Sequence, residues 1–124
     1  MKNKSGYPSV IPYLIVKNAQ RFIDFTEMVF GSELQRKEMR DEKCIKHAEV
    51  KIDDSIIMFA DSTDQYLPQP GSLFIYVDNA DEIFQKALDH GGTIVMDLSN
   101  QDYGRTGGIK DPIGNTWWIT SETH

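Results

Sequence analysis

At 124 residues, with 40% hydrophobic and 10% aromatic side chains, the chain suits a single domain with a packed core. Its net charge of −6 argues against nucleic acid and anionic membrane surfaces as partners. One cysteine, Cys44, excludes an internal disulfide. The opening MKNKSGYPS lacks the apolar stretch of a signal peptide, and no run approaches the roughly 18 apolar residues of a membrane span, so a cytoplasmic location is expected.

The first predicted element is an apolar strand, Val10 to Val16, with Pro12 marking an edge or a strand start. Asn18 offers a helix cap. Phe22, Phe25, Thr26 and Val29 follow at helical spacing, and Gly31 ends the helix. Glu33 to Arg40 and Cys44 to Ile52 read as strands, Asp53-Asp54 as a turn, and Ser55 to Ala60 as a buried strand. A polar loop over residues 61–70 follows.

The same order then returns. Ser72 to Val77 is a strand and Asn79 a cap. Ile83, Phe84, Ala87 and Leu88 are helically spaced, and Gly91-Gly92 stops the helix. Thr93 to Leu98, Gly107 to Lys110 and Thr116 to Ser121 complete the strands, with Asp111 to Asn115 as a hairpin turn. Val16-Lys17-Asn18-Ala19 aligns with Val77-Asp78-Asn79-Ala80, and at that spacing Phe22 meets Ile83 and Gly31 meets Gly92. Kept alignment through strand, cap, helix and stop indicates a duplicated βαβββ unit. The modules cover about 8–61 and 71–121 of one α+β domain, 1–124. Two such units set edge to edge are expected to curve around a shared concavity with their helices outside.

Alternation along the last strand sends Trp117 and Trp118 to opposite faces, one under a helix and one into the concavity. The inward set includes Tyr13, Met58, Phe74, Tyr76 and Trp118, with hydroxyls from Ser72 and Thr120. An aromatic lining with a few hydroxyls suits a planar or apolar small molecule.

The segments PYLIVKNA (12–19), Phe30-Gly31, HAEVKIDDSIIMFAD (47–61) and YGRTGGIKDPIGNTWWI (103–119), in this order, resemble the vicinal oxygen chelate superfamily. That superfamily includes glyoxalase I, extradiol dioxygenases, and fosfomycin and bleomycin resistance proteins. The nearest likeness is to its PhnB-like branch. The resemblance implies two βαβββ modules forming curved mixed sheets around a cavity, the glyoxalase/bleomycin resistance/dihydroxybiphenyl dioxygenase fold, often completed as a homodimer.

Metal-using members hold a divalent ion on four inward His, Gln or Glu side chains. Carried over, those positions fall on about Ile11, Met58, Ser72 and Trp118. Ile and Trp cannot ligate, Met suits soft ions, and Ser is a weak neutral donor. The expectation is therefore a metal-free, cofactor-free small-molecule binding protein. The alternatives are a lyase-like or dioxygenase-like enzyme with a divalent metal at a non-standard site, or a dimeric interaction module.

Two further sites invite chemistry. His47 and Glu49 share a strand face and are the candidate catalytic pair, read against an outward-facing rim pair. Arg105, among the glycines of YGRTGG, is a candidate ligand contact, read against a hairpin salt bridge. Those glycines permit close approach of a ligand. His90 reads as a helix C-terminal residue and His124 as a frayed end.

Overall fold

The computed structural model describes residues 4–122, so His124 lies outside the described residues. Ten elements follow in chain order: β1 (Tyr13–Val16), α1 (Ala19–Phe30), β2 (Glu33–Met39), β3 (Ile45–Ile52), β4 (Ser55–Asp61), β5 (Ser72–Tyr76), α2 (Ala80–Asp89), β6 (Thr93–Gln101), β7 (Gly104–Lys110) and β8 (Thr116–Glu122). They form two four-stranded sheets, β1-β4-β3-β2 and β5-β8-β7-β6. In each, the first strand runs parallel to the fourth and the rest are antiparallel. The identical order in both halves is what a duplicated βαβββ unit produces.

The predicted helix ends hold. Asn18 Oδ1 accepts from Arg21 N–H at 3.1 Å, and Asn79 Oδ1 accepts from Glu82 N–H at 3.2 Å. Gly31, at φ 68°, closes α1 in the left-handed conformation. The first strand is shorter than expected, beginning at Tyr13 rather than Val10. Pro12 has no N–H to give, and only its carbonyl joins the ladder, accepting from Met58 N–H at 3.0 Å.

The core lies on the helix-facing sides of both sheets. From α1 it takes Phe22, Ile23, Phe25 and Val29, and from the first sheet Val50, Ile57 and Phe59. The second half adds Phe84, Ile109, Trp117 and Ile119. Each such side chain stabilises the fold by about 1.5–3 kcal/mol through burial. Two buried carboxylates organise it. Asp61 accepts from Ala19 N–H at 2.7 Å and Ile45 N–H at 2.6 Å, tying α1 and β3 to the end of β4.

Asp111 does more than make a turn. Its Oδ1 accepts from the backbone N–H groups of Ile113 and Asn115, each at 2.9 Å. Its Oδ2 accepts from Asn115 Nδ2 at 3.1 Å and from Trp117 Nε1 at 2.8 Å. Asn115 Oδ1 in turn accepts from Gly71 N–H at 2.8 Å, at the entry to β5. Trp117 thus has its one polar atom satisfied while its ring lies 4.6 Å from that of Phe30 and 6.3 Å from that of Phe22. A side chain of the second module is the packing partner of the first module's helix.

Replacing Asp111 by Ala leaves four donors, three of them buried, without an acceptor. The expected loss of unfolding free energy is about 2–4 kcal/mol, read by urea denaturation. Trp117→Phe, which removes the donor and keeps a ring, is expected to cost less. A change in Asp111→Ala below about 0.5 kcal/mol contradicts this role.

Candidate functional site

The predicted lining stands on the sheet faces turned away from the helices, and the structure divides it between them. Tyr13 and Met58 stand on the first sheet, and Phe74, Tyr76 and Trp118 on the second. The expected shared concavity within one chain is therefore two separate faces, because the helix sides, and not the opposite sides, meet in the core.

On the second sheet, Ser72, Phe74 and Tyr76 alternate outward along β5, paired with Thr116, Trp118 and Thr120 on β8. Phe74 and Tyr76 are 50% and 59% exposed. Their rings meet edge to face at 5.1 Å, and Tyr103, from the β6–β7 turn, adds a third ring 6.2 Å from Phe74. Trp118 Nε1 donates to Ser72 Oγ at 3.0 Å, which fixes the indole across the two strands. Thr120 is fully buried, with its hydroxyl on Thr106 at 2.8 Å, so it offers nothing to a ligand. Phe74 and Tyr76 also line a cleft of about 660 Å³ shared with Pro12, Ile56 and the Asp53-Asp54 turn, where the two modules adjoin.

Two glycines of YGRTGG, Gly107 and Gly108, make room for ring packing. A Cβ on Gly108 would stand 2.6 Å from the Trp118 ring, and one on Gly107 2.7 Å from Phe84 of α2. Arg105, two residues before Gly107, points to the same helix-covered side. It binds Asp81 of α2 through Nε at 2.5 Å and Nη2 at 3.1 Å, and Asn100 through Nη1 at 3.2 Å. The Asp81 carboxylate raises the Arg105 pKa, and the guanidinium lowers that of Asp81. Arg105 is a brace between sheet and helix, not a residue at the mouth of the Trp118 face.

On the first sheet the structure places His47 and Glu49 together, and the outward rim alternative does not describe Glu49. Cross-strand register runs Tyr13, Met58, Glu49, Arg36 over β1, β4, β3 and β2, which puts Glu49 in one row with Tyr13 and Met58. Glu49 is 2% exposed. Its Oε2 lies 2.7 Å from His47 Nε2, and its Oε1 accepts from the Tyr7 hydroxyl at 2.8 Å. His47 Nδ1 lies 3.1 Å from the Tyr13 hydroxyl. Burial pushes the Glu49 carboxyl up, but the hydrogen bonds from His47 and Tyr7 and the neighbouring charge of Arg36 outweigh it and hold the group below its ordinary value. The bond to Glu49 raises the Tyr7 phenol, and burial raises that of Tyr13, so both remain donors. Tyr7 carries no signal in the sequence, since it lies in coil before β1 and its partner is 42 positions away.

The positions carried over from metal-using relatives do not fit a divalent ion. Ile11 precedes the strand, Met58 offers only a thioether, the Ser72 hydroxyl is held by Trp118, and the indole has no lone pair to give. Among the described residues no group of three or more His, Cys, Asp or Glu side chains is placed to hold a metal. No described helix is long and apolar enough to cross a membrane.

These features sit on a known framework. Residues 9–119 match the model of the Glyoxalase/Bleomycin resistance protein/Dioxygenase superfamily, and the chain belongs to that family. It is 32% identical over 123 residues to an uncharacterized protein of Mycobacterium bovis, covering 89% of this chain and 80% of the relative. Among solved structures it is similar to TioX from Micromonospora, with a TM-score of 0.73 at 22% identity over 94% of this chain and 98% of the other. It is also similar to a PhnB protein from Bacillus cereus, with a TM-score of 0.74 at 22% identity over 92% and 99% of the two chains. At such identities the structural likenesses establish the fold and nothing more.

The depressed Glu49 carboxyl carries a pH signature. The unfolded chain takes up a proton at Glu49 before the folded chain does. Stability therefore rises as pH climbs through the ordinary carboxylate range and is lost as pH falls through the lowered folded value. Glu49→Gln is expected to flatten the acid limb of stability against pH. An acid limb of unchanged steepness contradicts an ionised, buried Glu49.

Proposed function

We propose that the chain is a small-molecule binding protein that holds a planar, apolar ligand on the Trp118 face without a bound metal ion. The exposed ring cluster of Phe74, Tyr76 and Tyr103 beside a hydrogen-bonded indole carries this reading. Rings left half in water lose little order on binding and gain full contact with a flat ligand. Ser72 and Trp118, already bonded to each other, give the face a fixed shape. The lyase-like or dioxygenase-like alternative needs a divalent metal at a non-standard site, and among the described residues no group of three or more His, Cys, Asp or Glu side chains is placed to hold one.

We further infer a homodimer. Tyr13, Phe74, Tyr76, Tyr103, Ile94, Val95, Met39 and Leu34 are all exposed large apolar side chains, more than a solitary small domain ordinarily shows to water. A second copy laid over these faces turns open surfaces into enclosed pockets.

Titration with bleomycin and a panel of planar aromatic compounds, read by tryptophan fluorescence and thermal shift, tests the binding reading. Quenching and stabilisation are expected with at least one compound. Trp118→Ala is expected to weaken that binding about threefold to tenfold, the worth of one aromatic contact. No quenching and no stabilisation across the panel overturns it. Light scattering on the eluting peak is expected to give twice the chain mass, and a monomer at all concentrations overturns the dimer.

A further inference from the structure

The first sheet carries a four-membered hydrogen-bond chain: Tyr13 hydroxyl, His47, Glu49, Tyr7 hydroxyl. Its protonation pattern follows from its buried end. An ionised Glu49 only accepts, so both Tyr7 Oη–H and His47 Nε2–H point at it. A neutral His47 with its proton on Nε2 presents a lone pair at Nδ1, and the Tyr13 hydroxyl donates into it. The carboxylate thus fixes the imidazole tautomer, and the imidazole fixes the direction of the phenol O–H.

The outer end of the chain is open. Tyr13 is 48% exposed, so its oxygen keeps lone pairs toward solvent. In the same register row, Met58 joins a hollow of about 450 Å³ walled by Lys4, Tyr7, Pro8 and Ile11. Cations surround the row: Lys4 lines the hollow, Arg40 acts on Tyr13, and Arg36 is next to Glu49. Glu38, facing His47 from β2, is neutralised by its ion pair with Arg36.

We propose that Tyr13 is the proton acceptor of a binding site on this face, which takes a small neutral ligand bearing a weakly acidic O–H group. The ligand O–H bond breaks and its proton bonds to the Tyr13 oxygen. The proton Tyr13 held passes to His47 Nδ1. His47 keeps its Nε2 proton and becomes an imidazolium against the Glu49 carboxylate, and the ligand stays as an anion near Lys4 and Arg40. One proton moves from ligand to imidazole and none is lost. Tyr13 touches the ligand, while His47 stores the proton and Glu49 is a positioning residue. This site lies on a different sheet from the Trp118 face, so failure of that reading leaves it standing.

The full chain is mixed with 4-nitrophenol at a pH below the probe's own ionisation. Equilibrium dialysis reads binding, and the yellow phenolate band reads ionisation. Wild type is expected to bind the probe and ionise it. Tyr13→Phe, which keeps the ring, is expected to bind it but leave it neutral, and His47→Asn likewise. Glu49→Gln, checked for folding by circular dichroism, is expected to move ionisation of the bound probe to higher pH. Three outcomes overturn the proposal: no binding up to the probe's solubility limit, a neutral probe bound to wild type, or an ionised probe bound to Tyr13→Phe.

Discussion

The bond from Trp117 Nε1 to the buried Asp111 carboxylate sets the terms for the whole molecule. An indole can enter a core only if its N–H finds an acceptor, and a carboxylate can be buried only if donors surround it. The DPIGNTW turn meets both conditions, with Asp111 taking three further N–H groups from its own loop. With Trp117 fixed under α1 against Phe22 and Phe30, alternation leaves Trp118 no choice but the opposite face. The same contact joins the two modules, since the ring belongs to the second and the helix to the first.

Duplication supplied two sheets of one topology, and their open faces have diverged in chemistry. The first keeps polar groups joined end to end from Tyr13 to Tyr7, with one buried charge compensated by two donors. The second is a floor of rings, levelled by Gly108 beneath Trp118 and Ser72 beside it. Among the described residues neither face gathers three or more His, Cys, Asp or Glu side chains as a divalent ion demands. The fold is that of the superfamily, and the side chains on it point to different work.

Much of this was legible in the residues. Asn18, Gly31, Asn79 and Gly91 punctuate helices through local chemistry, and local chemistry is what a sequence displays directly. The repeated succession of elements was visible in the aligned halves, and the opposite placement of the two tryptophans followed from alternation. Contacts between distant elements were not legible. For His47 and Glu49 the residues alone left a catalytic pair and an outward rim pair both open, and only the pairing of Glu49 with Met58 puts them in the row of Tyr13. For Arg105 a ligand contact and a hairpin salt bridge both stood open in the residues, and its ion-pair partner is Asp81, a helix away. Gly107 and Gly108 of YGRTGG read as freedom for close approach, and what approaches them in the structure is Phe84 and Trp118. Asp111 read as a turn residue because its fourth donor, an indole, belongs to the next strand.

The central claim is that Trp118 and its neighbours make an aromatic floor where metal-using relatives hold an ion. The most direct measurement is bound metal per chain. It is made on untagged protein, as purified and after incubation with Ni, Zn, Mn and Fe(II) followed by desalting. Essentially no retained metal is the expected result. Near-stoichiometric metal, abolished by substitution of His47 or Glu49 or of any residue on the Trp118 face, would contradict it.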